Sequence, residues 1–342
     1  MNTPNPTNTP APLPASSPKP TQTITPEGLV DPFEQNKLLG RGVNLGNALE
    51  APNEGEWGMV LQEEYFGLIK GAGFDSVRIP IRWSTHASQT PPYTIDPAFF
   101  ERVDWAVNQA IQNDLQVVIN MHHYEEIFKE PAAQQERFLA LWGQIAAHYK
   151  DYPTSLVFEI LNEPNNMLTT RLWNSLLVEA LAKIRPTNPD RNIIIGPAEW
   201  NSLYKLNDLI LPEDDRHIIV TFHYYLPFHF THQGAEWAEG SEAWMGTTWE
   251  GTQDQQKALE LDLNIAANWA KQNNRPLYLG EFGAYSKADM DSRARWMNFV
   301  ARQAETRGMS WAYWEFGAGF GIYERQLKIW MKPLLNALIP VE

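Results

Sequence analysis

The chain has 342 residues, no cysteine, 14 tryptophans, 25 prolines and a formal net charge of −14. Zero cysteine excludes disulfides, thiolate metal centres, iron–sulfur clusters and a cysteine nucleophile, so its chemistry rests on oxygen and nitrogen groups. The acidic balance, with no block of Lys or Arg, argues against nucleic acid as a partner.

Residues 1–26 hold eight prolines, six threonines, three asparagines and a single charge, Lys19. Such a stretch cannot bury a core and reads as an extended linker. Residues 1–32 are therefore expected to be a disordered linker, with 33–342 as the folded domain. The first residues lack the basic start and apolar stretch of a signal peptide, and no run approaches the roughly 20 apolar residues of a membrane span, so membrane insertion is not expected. The linker composition points to an exported parent protein, secreted or held at the cell surface.

From residue 38 onward, short apolar runs alternate with longer amphipathic ones. Strands are predicted at 42–46, 76–80, 115–120, 156–160, 192–195, 217–222, 276–280 and 309–313. Most are continuous apolar runs, as a parallel sheet covered on both faces requires. Helices are predicted at 97–113, 134–149, 170–184, 255–272 and 291–306. In the first, Phe100, Val103, Ala106, Val107 and Ala110 recur at steps of three and four and form one apolar face. Eight such units in roughly 300 residues match a single α/β domain, a (β/α)8 TIM barrel with its site at the C-terminal ends of the strands. A doubly wound sheet would carry a Gly-rich phosphate turn after its first strand. The turn here reads Asn44-Leu45-Gly46-Asn47-Ala48-Leu49 and carries no such signature.

Each predicted strand ends in an unexpected side chain: Asn44, Arg78, His122, Glu163, Trp200, His223, Glu281 and Trp314. A charge at the end of a buried strand is costly unless it faces a pocket or a partner. Glu163 follows strand four and Glu281 follows strand seven, which on a barrel brings two acids to one rim. Paired carboxylates flanking a glycosidic bond are the usual apparatus of sugar hydrolysis. The histidines His122, His123, His223, His229 and His232 could suggest metal ligands, but no His-Glu-x-x-His occurs and no metal or other cofactor is expected.

Asn162-Glu163-Pro164, Gly280-Glu281-Phe282-Gly283, Arg78-Ile79-Pro80, His122-His123, His223-Tyr224-Tyr225 and Trp314 together resemble glycoside hydrolase family 5. The similarity runs from about Arg41 to Leu338, and its longer stretches look like a bacterial endoglucanase subfamily, some of whose relatives also cut mannan. The resemblance implies that Glu163 is the general acid/base and Glu281 the nucleophile of a retaining mechanism. It places Arg78 and Tyr225 beside Glu281, where they are expected to lower its pKa. Burial and the charge of Glu281 are expected to raise the pKa of Glu163. It implies that Asn162 donates to the sugar 2-hydroxyl, that His122 and His223 line the cleavage subsite, and that Trp314 is a flat surface for the sugar. Asn47, Glu50, Pro80, His123, His232 and Glu315 match positions lining the glycone subsites.

The tryptophans divide by pattern. Trp105, Trp142, Trp173, Trp269 and Trp296 fall within helical periods and are assigned to the core. Trp57, Trp83, Trp200, Trp237, Trp244 and Trp249 lie at strand ends or in loops, with Trp200 and Trp237 carried as sugar contacts. The long Trp-rich connection after strand six is expected to wall the cleft. The expected activity is an endo-β-1,4-glucanase acting on cellulose and mixed-linkage β-glucan, with a polysaccharide as its partner and a monomeric state. The alternatives are an endo-β-1,4-mannanase, a metal-dependent hydrolase and a non-catalytic carbohydrate-binding barrel.

Overall fold

The computed structural model describes residues 30–340. Eight parallel strands close into one barrel in sequence order: β1 Arg41–Asn44, β2 Ser76–Ile79, β3 Gln116–Asn120, β4 Leu156–Glu159, β5 Ile193–Ile195, β6 Ile218–Tyr224, β7 Leu277–Phe282 and β8 Ser310–Tyr313. β1 pairs with β8 as well as with β2, which removes both sheet edges. All eight predicted strands are present. Two of them, β6 and β7, run two residues past their predicted ends. Their pairing shifts register between Phe222 and His223, so that His223 stands opposite Glu281. An irregularity of this kind re-aims side chains at a barrel rim.

Side-chain alternation builds the barrel interior. Val118, Val157, Ile194, Ile219, Tyr278 and Ala312 form a buried apolar cluster, which Leu39 of the helix Pro32–Leu39 joins. Two residues further along β3, β4, β6 and β7 stand Asn120, Glu159, Thr221 and Gly280, on the same face by the two-residue repeat. The barrel is thus oily below and polar above, which is where the site forms. The larger apolar cluster lies between strands and helices and holds Trp83, Trp142, Trp173 and Trp296 at 0% exposure.

The five predicted helices appear as Pro97–Gln112, Pro131–His148, Thr170–Ile184, Gln253–Asn273 and Met290–Glu305. Asp96 caps the first, its side chain accepting from the Ala98 N–H at 2.9 Å. Its buried face uses Phe99 in place of Phe100, which is only partly buried. Short helices at Pro32–Leu39, Glu63–Gly71 and Lys332–Leu338 were not predicted, since seven to nine residues give too few turns for a clear period. The first moves the domain start, because Asp31 caps it through the Phe33 N–H and Pro32 is its first residue. The rest of the proposed linker, residues 1–29, lies outside the described residues.

The connection after β6 contains the short helix Phe228–Thr231 and a 3₁₀ turn at Ser241–Trp244. Buried Gln233 ties it together, donating to the Phe230 and Thr247 carbonyls and accepting from the Gly246 N–H. Trp83 and Trp249, placed at a strand end or in a loop by pattern, are core residues at 0% and 2% exposure. Among the described residues no helix is long and apolar enough to cross a membrane.

Candidate active site

Arg78 organises the rim. It is fully buried, and all five of its N–H groups are used. Nε and Nη2 form a paired contact with the two oxygens of Glu159 at 2.6 and 2.7 Å. Nη2 also donates to Asn162 Oδ1 at 2.7 Å, while Nη1 donates to Asn44 Oδ1 at 2.8 Å and to Glu281 Oε1 at 2.7 Å. One guanidinium therefore connects the ends of β1, β4 and β7. Because Asn162 receives Arg78 on its oxygen, its Nδ2 group is left as a donor, the role expected toward a sugar hydroxyl.

Glu281 is buried and accepts on both oxygens, from Arg78 and, at 2.9 Å, from the Tyr225 hydroxyl. Glu163 is half-buried and its Oε1 lies 2.7 Å from His223 Nδ1. Oxygens of Glu163 and Glu281 lie within 4.8 Å of each other. Retaining glycosidases hold their carboxyls about 5–5.5 Å apart, whereas inverting enzymes leave about 6.5–9.5 Å for a water.

Burial lifts Glu163 to about 7, against the pull of Arg78 and His123 and with the help of Glu159. The expectation for Glu281 is corrected: burial raises it, and His223 and Arg78 only offset that rise. Burial is the largest cause, the negative charge of Glu163 adds to it, and the Arg78 charge and hydrogen bond do not outweigh the two. A third carboxylate, Glu159, takes two of the five Arg78 hydrogen bonds. The shared proton still belongs on Glu163, because both Glu281 oxygens already accept and a carboxylate satisfies both donors. Burial holds the Tyr225 hydroxyl well above its ordinary value, so it stays a donor.

His122 and His223 are kept neutral by burial, which drives His122 well down and His223 to about 4. The Ile81 N–H donates to Asn120 Oδ1, which leaves Asn120 Nδ2 to donate to His122 Nδ1 at 3.0 Å. His122 is therefore protonated on Nε2. Its ring lies parallel to Trp314 with centroids 5.7 Å apart. Gly46 makes room for that indole, since a Cβ there would sit 2.9 Å from the ring.

The remaining predicted residues separate into rim and scaffold. Trp237 is 62% and Trp200 54% exposed. Partly exposed His123 packs edge-on to Trp57, and buried His232 stacks on Phe228. Pro80 is buried, and Asn47 has a left-handed φ of 64°. Glu50 and Glu315 are corrected from sugar contacts to loop braces. Both are fully buried; Glu50 accepts from the Asn47 and Ala48 N–H groups, and Glu315 from those of Gly317, Ala318 and Phe320. Burial lifts each to about 7.

Sequence reasoning missed Glu159, Asn120 and Asn201, the last lying 3.3 Å from His223 Nε2. Glu159 had a visible signal, a charge within the apolar run Leu156-Val157-Phe158-Glu159-Ile160. Among the described residues, Glu163, His223 and Glu281 are the one cluster with metal-ligand spacing. A cation there would have to break the His223–Glu163 contact and sit next to the Arg78 guanidinium, so the donor set fits proton chemistry better.

The model of the family described as cellulase, glycosyl hydrolase family 5, matches residues 40–319. The chain belongs to glycosyl hydrolase family 5. Its barrel superposes on the endoglucanase Cel5A of hyperthermophilic Thermotoga maritima with a TM-score of 0.89 at 58% identity, covering 90% of this chain and all of that one. A second structure of Cel5A, in complex with mannotriose, matches at 57% identity with the same TM-score. Endoglucanase H of Acetivibrio thermocellus is 40% identical over 90% of this chain. The chain spans 34% of the length of that relative. Endoglucanase B of Clostridium cellulovorans is 32% identical over 87% of this chain and 72% of its own length.

Proposed function

We propose that the chain is an endo-acting β-1,4-glucanase that hydrolyses cellulose and mixed-linkage β-glucan with retention of configuration. The observation that carries this is the close approach of Glu163 and Glu281, within 4.8 Å, with opposite hydrogen-bond environments. Glu281 attacks the anomeric carbon as the glycosidic bond breaks, and Glu163 gives its proton to the departing oxygen. Water then loses a proton to Glu163 and adds its oxygen to the anomeric carbon, releasing Glu281. Arg78 and Tyr225 hold the nucleophile, and Asn162 Nδ2 faces the sugar. Trp57, Trp200 and Trp237 supply exposed flat rings on loops after β1, β5 and β6, suited to a polymer chain.

Replacing Glu281 with Ala is expected to lower turnover on barley glucan by several orders of magnitude with the fold intact. Proton NMR of the first product should show the β-anomer; an initial α-anomer, or near-wild-type turnover in the variant, overturns the reading. Because Glu163 must be protonated to act as acid, kcat/KM is expected to fall as pH rises through about 7.

Mannan is the second substrate we propose, on the observation that a close structural relative was solved with mannotriose. Glucose and mannose differ only at the 2-hydroxyl, so few contacts discriminate between them. Rates on carboxymethylcellulose, barley glucan and locust-bean gum, measured side by side, set the order. We also propose that the parent protein acts outside the cell as a monomer, since a polymer of this size does not enter cells. Fractionation of the source culture and sedimentation analysis test those two points.

A further inference from the structure

The segment Ala198–Asn201 after β5 has an unusual backbone. Glu199, Trp200 and Asn201 are consecutive non-glycine residues in the left-handed region, with φ of 56°, 58° and 52°. Three such residues in a row persist only where surrounding structure imposes them, and they cluster at functional sites. Two contacts show what this conformation achieves. The Trp200 N–H donates to the carbonyl of Pro164, the residue after the acid/base, at 3.2 Å. The Asn201 side chain turns inward, is fully buried, and places Nδ2 3.3 Å from His223 Nε2. A bridge between Ser202 and His223 keeps the two segments in register. At Gly196 a Cβ would lie 2.2 Å from Asn201 Oδ1, so the glycine is what admits this side chain.

We infer that Asn201 is a positioning residue for the acid/base: by donating to His223 Nε2 it makes Nδ1 the protonated nitrogen, which donates to Glu163 Oε1 and leaves Oε2 as the oxygen that carries the catalytic proton. A neutral imidazole has one donor and one acceptor nitrogen, so the group on one side dictates the role of the other. With Nδ1–H on Oε1, Glu163 keeps the same hydrogen bond while it loses the proton to the leaving group and regains it from water. With the opposite tautomer, the Nδ1 lone pair would hold the proton on Oε1, facing the histidine instead of the substrate. Other groups around Glu163 act on it by charge, and they come from every neighbouring strand: Arg78, His123, Glu159 and Glu281, with the Tyr225 hydroxyl. Asn201 carries no charge and reaches Glu163 only through His223.

Two measurements test this. Nitrogen-15 NMR of histidine-labelled protein reads the tautomer directly, with the His223 signals assigned by their loss in His223→Asn. We expect a protonated Nδ1 and an unprotonated Nε2 in the wild type, and reversal or mixing of the two in Asn201→Asp, whose carboxylate can only accept. A wild-type His223 protonated on Nε2 overturns the proposal by itself. The second measurement uses Asn201→Gly, which removes the amide while suiting the left-handed backbone. Loss of acid assistance should lower kcat/KM on cellopentaose roughly tenfold or more, but by less than about threefold on a dinitrophenyl cellobioside, whose leaving group needs no proton. Equal losses on both substrates, or none, assign Asn201 a purely structural role and overturn the inference. A failure of the hydrolase reading itself would look different, as inactivity of the wild type on both substrates.

Discussion

Five donors on one buried side chain explain much of this site. Arg78 satisfies Glu281, Asn162, Asn44 and, through two bonds, Glu159. A lysine would keep the charge but not the planar fork, and its three donors cannot reach four partners. Arg78→Lys is therefore expected to lower kcat at least about a hundredfold and to leave at least one of the buried acceptors unpaired, at a cost of about 1–3 kcal/mol. Steady-state kinetics and urea unfolding check the two parts separately. That Glu163 and Glu281 come together was legible from the motifs around them. The direction of the Glu281 shift was not, because it depends on how deeply the carboxylate is buried beside Glu163, and burial is a fact of three dimensions.

At the scale of elements, the ends of the strands carry the polar groups of the site, among them Arg78, Glu159, His223 and Glu281, and the helices secure the scaffold. Helix Pro97–Gln112 illustrates how local signals secure the scaffold, with Asp96 as cap, Pro97 in the first turn and an apolar stripe beneath. Asp96→Ala is expected to lower unfolding free energy by about 1 kcal/mol. Specific activity should be unchanged, because this helix contributes no site residue. Measured by thermal unfolding and β-glucan hydrolysis, a loss of activity without a loss of stability would contradict that division. Short β-branched or apolar runs made all eight strands legible. The register shift between β6 and β7 was not legible, since it depends on how neighbouring strands pair, and it decides that His223 faces Glu281.

Across the whole molecule, buried ionisable groups tie stability to pH. Glu50, Glu163 and Glu315 are each raised to about 7, so between about 4.5 and 7 the folded chain holds protons that the unfolded chain has released. That makes stability fall as pH rises through this window. His223 and His232, lowered to about 4, do the reverse, since below 6.5 the unfolded chain binds protons that the folded chain refuses. The two effects oppose one another until about pH 7.5, where the unfolded histidines finish titrating, and the carboxyls outweigh the histidines above about pH 6.5. Unfolding free energy is thus expected to decline above about pH 6.5, by on the order of 2 kcal/mol by pH 8. Calorimetry between pH 5 and 8 checks the sign.

Sequence by itself determined the barrel, the order of its strands, the meeting of Glu163 and Glu281 at one rim, and the family. These follow from local periodicity and from residue types at strand ends, which need no knowledge of neighbours. Only the tertiary structure decided that His122 carries its proton on Nε2, that Arg78 divides its five hydrogen bonds among four partners, and that Glu50 and Glu315 brace loops instead of facing sugar. It also divided the loop tryptophans, burying Trp83 and Trp249 and leaving Trp200 and Trp237 exposed. Each of those outcomes depends on what a polar or aromatic group meets after burial. Hydrogen-bond direction, shared charge and exposure are properties of pairs brought together by folding, and no single stretch of chain encodes them alone.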